Sequence, residues 1–466
     1  MLRNLPLSIS QTAYFHFFTS SCAKLNTVLY YDITVFKVTA ILRTNEFSKE
    51  FSKGSVKLYD SNQLPSNNPI EDTRAEAICK HSSGLLMGIF DGHGGAACAN
   101  VLSKRMLNYI AASLLPKEIL IQLLEDGCYN KLIEPINDRV DIVEELKSIY
   151  EQSFKSYLKL LLESQNKYEV GSALENAFQA LDNDFSREVV NQYESTKVIN
   201  PKTLSVAVSG AVACVTHIDG PHLHVANVGD CNAVLGVMTE DNEWIAKKIT
   251  KEHNSDNLDE LKRIWSEHPD SERKTIIRRG RLLGELAPLR SLGDYRYKWP
   301  IKTLEELAVP LIGQRAIPPN YETPPYLSGK PDVFYHRLRP KDKFLVIASD
   351  GLWDMMTPLQ AVKLVGEHMK GKVFFYPLKL PQKNVQLGDI NELLSHRKES
   401  LKSKPKDRNA ATHLIRHAIG GTEFGIDHSR LAHLLSLSSD VSRIFRDDIT
   451  VNVVFFDSDF LTQCPA

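Results

Sequence analysis

Between residues 100 and 190 apolar side chains return every three or four positions. Leu102, Met106, Ile110 and Leu114 form one set. Val143, Leu146, Tyr150, Phe154, Tyr157 and Leu161 form a second, and Leu174, Phe178, Leu181, Phe185 and Val189 a third. That period collects each set on one face and predicts three amphipathic helices packed on a core. Elsewhere the apolar residues come in short runs bounded by turn residues. Residues 75–79 and 85–90 read as strands on either side of Ser82-Ser83-Gly84. Residues 205–218, 223–228 and 233–237 read as successive strands joined by turns such as Asp219-Gly220-Pro221, and 344–348 and 449–455 add two more. Grouped strands with inserted helices predict an α+β layered domain rather than a regular βαβ alternation.

From residue 46 to 466 no linker or internal repeat divides the pattern, so one domain is expected. Stretches near 300–330 and 370–408, rich in Pro, Lys and polar residues, are expected as surface insertions. Residues 1–45 differ: Asp32 is their only acid, among Arg3, Lys24, Lys37, Arg43 and many hydroxyl and aromatic residues. That composition predicts a disordered mitochondrial transit segment; a disordered or wrongly placed start is the alternative, and Val28-Leu29-Tyr30-Tyr31 fits a presequence poorly.

Composition narrows the function classes. The chain has 466 residues, 42% of them hydrophobic, with 56 basic against 57 acidic residues. It can bury a large core, and it offers no basic field for nucleic acid. No two of the seven cysteines form a CxxC pair, which argues against a zinc ribbon or dithiol exchange. No cysteine has an arginine six residues on, which argues against a cysteine-based phosphatase. No apolar run approaches the ~18 residues of a membrane span.

The chemistry lies in carboxylates at strand boundaries. The run 85–90 leads into Asp91-Gly92-His93-Gly94-Gly95, and 344–349 into Asp350-Gly351-Leu352-Trp353-Asp354. Asp447-Asp448 precedes the last strand, Glu71-Asp72 the first, and 226–228 runs into Gly229-Asp230. Gathering such acids without a partner costs several kcal/mol each or forces protonation. Hard divalent cations offset that cost, and two of them carry about the charge these acids need. Gly92 is expected to let the backbone bend, Gly94-Gly95 to leave room for a phosphoryl group, and His93 to protonate a leaving oxygen. Taken singly, an Asp-Gly is ordinarily a turn and a histidine ordinarily structural; the ordered set points to a metal-assisted site.

These segments resemble the metal-dependent type 2C protein serine/threonine phosphatases. Glu71-Asp72, Asp91 to Gly95, Gly229-Asp230, Arg290-Ser291-Leu292-Gly293-Asp294, Asp350 to Asp354 and Asp447-Asp448 follow the family's order across residues 71–455. The resemblance implies two antiparallel sheets packed as a sandwich flanked by helices (four layers, αββα), with two Mg2+ or Mn2+ ions at one end. It further implies that Asp91 and the Gly92 carbonyl, Asp350 and Asp447 ligate metal. Glu71 and Asp72 would act mostly through waters, Asp230 would serve a weaker third ion, and His93 would be the general acid beside Asp91. A water shared by the two metals would attack phosphorus. Asp294 is expected only to orient its turn.

Residues 60–72, 336–353, 409–418 and 446–450 are similar to a narrower subgroup, the mitochondrial pyruvate dehydrogenase phosphatases. That likeness implies phosphorylated pyruvate dehydrogenase as substrate, docking on the lipoyl-bearing core of its complex, a possible regulatory subunit, and the mitochondrial matrix. The family's frequent phosphate-binding arginine is absent: Asn67 stands four residues before Glu71. A cytosolic enzyme with another substrate, and an inactive scaffold of the same fold, are the competing expectations.

Overall fold

The computed structural model describes residues 35–465 apart from 130, 138–139, 142, 164–168, 373–386, 389, 392–393, 396–406 and 423–424. Among these residues two antiparallel sheets dominate. Strands β1 (Phe47–Glu50), β2 (Val56–Leu64), β3 (Thr73–Cys79), β4 (Leu85–His93), β5 (Ile133–Pro135), β6 (Gly210–Asp219), β7 (His222–Val228), β8 (Asn232–Met238), β9 (Trp244–Lys248), β10 (Asp332–Arg337), β11 (Asp342–Ala348) and β12 (Ile449–Phe456) supply them. One sheet runs β1-β2-β12-β11-β8-β9. The other runs β10-β7-β6-β4-β3-β5, with Leu292–Gly293 added against β6.

Alternation along each strand sorts the side chains into layers. In β4, Leu85, Met87 and Ile89 pack between the sheets, while Leu86 and Phe90 face outward. In β11, Leu345 and Ile347 point between the sheets, and Phe344, Val346 and Ala348 point out. Helices α1 (Val35–Arg43), α2 (Ala97–Ser113), α3 (Val170–Thr196), α4 (Pro358–Lys372) and α5 (Ala410–Gly420) cover the outer faces. Leu102, Met106 and Ile110 of α2 and Leu174, Phe178 and Leu181 of α3 pack outside one sheet, and Leu414 and Ile415 of α5 outside the other. The four-layer αββα sandwich is therefore the one the family resemblance implies.

Three expectations need correction. Residues 205–208 are not the start of a strand but the end of a helix, Pro201–Val208: Asn200 accepts the Lys202 amide and Pro201 opens the first turn. Leu304, Ala308, Tyr321, Tyr326 and Leu327, in the stretch expected as a surface insertion, are buried in the outer core. Finally, α1 begins within the stretch expected to be disordered, and Val38 and Leu42 are buried against α5 and its neighbours. Residues 1–34 and most of the expected insertion at 370–408 lie outside the described residues.

Candidate metal centre

Antiparallel pairing brings the acid-bearing strand ends together. Thr73 opposes Phe90 at the start of β3, and His93 opposes Gly210 at the end of β4. Ala348 opposes both Asn232 and Val451 at the end of β11. The alternation that places Met87 and Ile89 between the sheets carries Asp91 to the rim of the same layer. Asp72 continues the inward parity of Arg74 and Glu76. Together with Asp230, Asp350 and Asp447 they form one acidic groove, graded from buried Asp72 to exposed Asp447.

Each carboxylate feels the others. Burial, reinforced by Asp448 and Asp447, pushes Asp72 up to about 7 against hydrogen bonds from Thr450 and Ser349. Burial does the same to Asp91, whose neighbours are Asp72, Asp350, Asp230 and Asp447, and holds it well above the carboxylate range. Asp350 is raised well above that range by burial and then by Asp230, Asp447 and Asp354. Asp230 is pushed up to about 6 by burial, with Glu252 and Asp354 adding and His93 opposing. No lysine or arginine is among the groups that weigh most on these four acids.

Oxygen donors of this kind suit a hard divalent cation. Among the described residues no three carboxylate, imidazole or thiol side chains are arranged to hold a metal ion by themselves. A magnesium ion that keeps several of its waters needs none.

Glu71 is fixed at two points: its Oε1 accepts the Gly95 amide at 2.6 Å, and its own amide donates to Asp448 Oδ2 at 2.8 Å. Gly92 serves close approach rather than a bend. It lies within β4 with no positive φ, and a Cβ there would stand 2.4 Å from the Glu71 carbonyl oxygen.

His93 Nε2 is bonded to Asp294 Oδ2 at 2.5 Å. Enclosure opposes the imidazolium, but Asp294, Asp230 and Glu71 outweigh it and hold the His93 pKa above its ordinary value. Asp294 is thus more than a turn residue, although it sits at φ 52°. Its carboxylate also accepts from Ser291 Oγ at 2.5 Å. Gly210 makes room for the pair, since a Cβ there would lie 2.1 Å from Asp294 Oδ2 and 2.2 Å from His93 Nε2.

Two acids of the groove's wall were named in the sequence motifs but given no role there. Asp354 weighs on both Asp350 and Asp230 and is itself raised by burial and Asp447. Its signal was the four-residue spacing from Asp350, one helical turn. Asp448 organises the loop before Glu71. Its Oδ1 accepts the amides of Ser66 (2.5 Å) and Asn67 (2.9 Å), and its Oδ2 accepts Asn67 Nδ2 (3.0 Å). Of the Asp447-Asp448 pair, only Asp447 therefore faces the groove unencumbered by that loop.

Comparison with known proteins identifies the family. The family described as Protein phosphatase 2C matches residues 142–388. The human mitochondrial pyruvate dehydrogenase (acetyl-transferring)-phosphatase 1 is 43% identical over 447 residues, 91% of this chain and 83% of that protein. Human mitochondrial phosphatase 2 of the same description is 42% identical over 87% of this chain and 79% of its own length. A protein phosphatase 2C homologue of Schizosaccharomyces pombe is 33% identical, covering 90% of this chain and 85% of the relative. The chain belongs to the protein phosphatase 2C family of magnesium- or manganese-dependent protein serine/threonine phosphatases.

Proposed function

We propose that this protein removes phosphate from phosphoserine on mitochondrial pyruvate dehydrogenase, thereby reactivating the complex. The observation that carries the proposal is the likeness to two human pyruvate dehydrogenase phosphatases, 43% and 42% identical over 91% and 87% of the chain. The same reading puts the protein in the mitochondrial matrix, with residues 1–34 acting in import. It also gives the protein a lipoyl-bearing docking partner and a regulatory subunit.

Two divalent ions fit the donor set. Asp91, the Gly92 carbonyl, Asp350 and Asp447 would hold them, with Glu71, Asp72 and Asp230 around them. When bound, such ions supply positive charge for the phosphoryl oxygens and a water of lowered pKa as nucleophile.

The chain's own residues do the rest. Asp294 orients the imidazole of His93 through Nε2 and favours its protonated form, which leaves the Nδ1 proton to give to the departing serine oxygen. General-acid help of this kind is worth roughly 10²–10⁴ in rate. Asp448, by fixing residues 66–71, keeps Glu71 at the rim. No covalent enzyme intermediate is required.

The test is phosphate release by the full chain from phosphorylated pyruvate dehydrogenase, with magnesium and with chelator, beside an unrelated phosphoserine protein. Magnesium-dependent release favouring the dehydrogenase is expected. Equal release from both substrates overturns the substrate, and no release from either by folded, metal-supplied protein overturns the enzyme in favour of a scaffold.

A further inference from the structure

An acidic groove is a poor receptor for a phosphate dianion until something offsets its charge. Cations in the groove do so at its floor, but the mouth also needs a positive group to hold the phosphoryl oxygens that face away from them. Asn67 is not that group, because its amide and its side chain both donate to Asp448. Nor is Arg446, which is buried, with Nη2 donating to the Pro65 carbonyl at 2.6 Å.

Arg443 is placed differently. It lies on the short helix Ser439–Phe445, which leads directly into Arg446 and Asp447. Its Nη2 stands 3.9 Å from Glu71 Oε2, with the arginine side chain 68% exposed and the glutamate 13% exposed. The outer oxygen of Glu71 therefore holds the guanidinium at the lip of the groove without a close hydrogen bond. The inner oxygen is committed to Gly95. A loose, solvated pair of this kind contributes little to stability, so a doubly charged phosphate competes well for the guanidinium.

We propose that Arg443 binds the phosphate of the incoming substrate, swinging from Glu71 onto the non-bridging phosphoryl oxygens. Planar, two-pronged donation is what arginine offers a phosphate and what a single lysine ammonium cannot reproduce. The proposal rests on the phosphatase reading but not on which phosphoprotein is the substrate.

The experiment uses the full chain in magnesium, as wild type, Arg443→Ala, Arg443→Lys and Ile444→Ala. Ile444 neighbours Arg443 on the same helix and is 77% exposed. It serves as a control for disturbance of the helix. Three quantities are read: kcat and KM for p-nitrophenyl phosphate, the same for a phosphoserine protein, and the inhibition constant of inorganic phosphate.

For Arg443→Ala the expected result is about a tenfold rise in KM and in the inhibition constant of phosphate, with a smaller change in kcat. Arg443→Lys should recover part of the loss and Ile444→Ala should change neither constant, all with the thermal midpoint of the wild type. The wild-type KM should also rise with ionic strength more steeply than that of Arg443→Ala. An unchanged phosphate inhibition constant in Arg443→Ala overturns the proposal, as does an equal effect of Ile444→Ala. If the wild type hydrolyses nothing, the phosphatase reading fails. Calorimetric titration of inorganic phosphate into the magnesium-loaded wild type and Arg443→Ala then decides Arg443 separately: weaker binding by the variant supports its role, and equal binding rejects it.

Discussion

Strand β11 begins at Asp342 and ends against Asp350, and its two carboxylates meet opposite surroundings. Burial opposes the charge of Asp342, but His336 Nε2 (2.9 Å), the Arg339 amide (2.8 Å) and Arg339 Nη2 (2.9 Å) outweigh it and hold its pKa at about 2. At the other end burial is joined by Asp230, Asp447 and Asp354, and Asp350 is driven well above the ordinary range. The chain can satisfy an inward-facing carboxylate from its own donors; Asp182 likewise accepts from Lys298 at 2.7 Å, although burial there still holds its pKa above the ordinary value. At the groove it supplies acids and keeps lysine and arginine out of the groups that weigh most on them. Under the proposed function such a cluster would be completed by cations from outside, and its cost to the fold would be the counterpart of its affinity for them.

The largest effect should come from breaking the groove end. Asp91→Asn is expected to lower turnover by about 10³-fold or more, roughly 4 kcal/mol of barrier, because it removes the acid on which four others converge. The chelated variant should be no less stable than chelated wild type, since one repelling charge is gone. Magnesium, which should raise the wild-type melting midpoint, should raise that of the variant much less. Thermal denaturation with magnesium and with chelator checks this, and an unaltered magnesium response would detach Asp91 from the metal.

At the satisfied end the consequence reverses. Asp342→Ala removes four hydrogen bonds and leaves the buried His336 without its carboxylate partner. It should cost about 2–3 kcal/mol of stability, a figure discounted because Arg339 is partly exposed. Turnover per folded molecule should stay near that of the wild type. Urea unfolding and an activity titration separate the two quantities. A turnover loss comparable to that of Asp91→Asn would mean that the two ends of β11 are not independent.

How much of this was legible in the sequence depended on whether a position's neighbours were local. The helix faces of α2 and α3 and the runs in β4, β11 and β12 follow from period alone, as do the acids at their ends. Strand β2 did not: VKLYDSNQL looks like a polar loop. Its polar residues are answered by distant partners, Asp60 by the Ala410 amide and Asn62 by the Leu42 carbonyl and Thr412. The role of Asp294 was hidden for the same reason, because its partner His93 lies 201 residues away. The division of labour between Asp447 and Asp448 depends on which one turns toward residues 66–71, and adjacent identical letters carry no such information. The helix Pro201–Val208, by contrast, was signalled by Asn200-Pro201 and was obscured by the β-prone residues that follow.

The His93–Asp294 pair lies between the two extremes, being ionic and satisfied but set in the groove. His93→Ala is expected to slow turnover on phosphoserine by about 10²-fold, with a smaller effect on an activated aryl phosphate whose leaving group needs no proton. Asp294→Asn should give a weaker version of the same pattern, about tenfold, since it leaves the imidazole in place but removes the charge that favours its protonated form. Equal losses on both substrates would remove the proton-donor role and leave a structural one.

The smallest expected effect discriminates most finely between charge and shape at the satisfied end. The folded pKa of Asp342, at about 2, lies below the unfolded value of about 3.9. Its ionic contribution, roughly 2 kcal/mol, is therefore fully present above about pH 5 and is lost as the pH falls toward 2. Asp342→Asn keeps the side chain's shape and removes the charge. Its stability deficit relative to wild type should be full at pH 7, smaller at pH 4 and smaller again at pH 3, as read by urea unfolding at each pH. If the deficit stayed constant through that window, the hydrogen-bond geometry at Asp342, not its charge, would carry its contribution. The contrast between the two ends of β11 would then reduce to how many donors each carboxylate meets, with no part played by the sign of the surrounding charge.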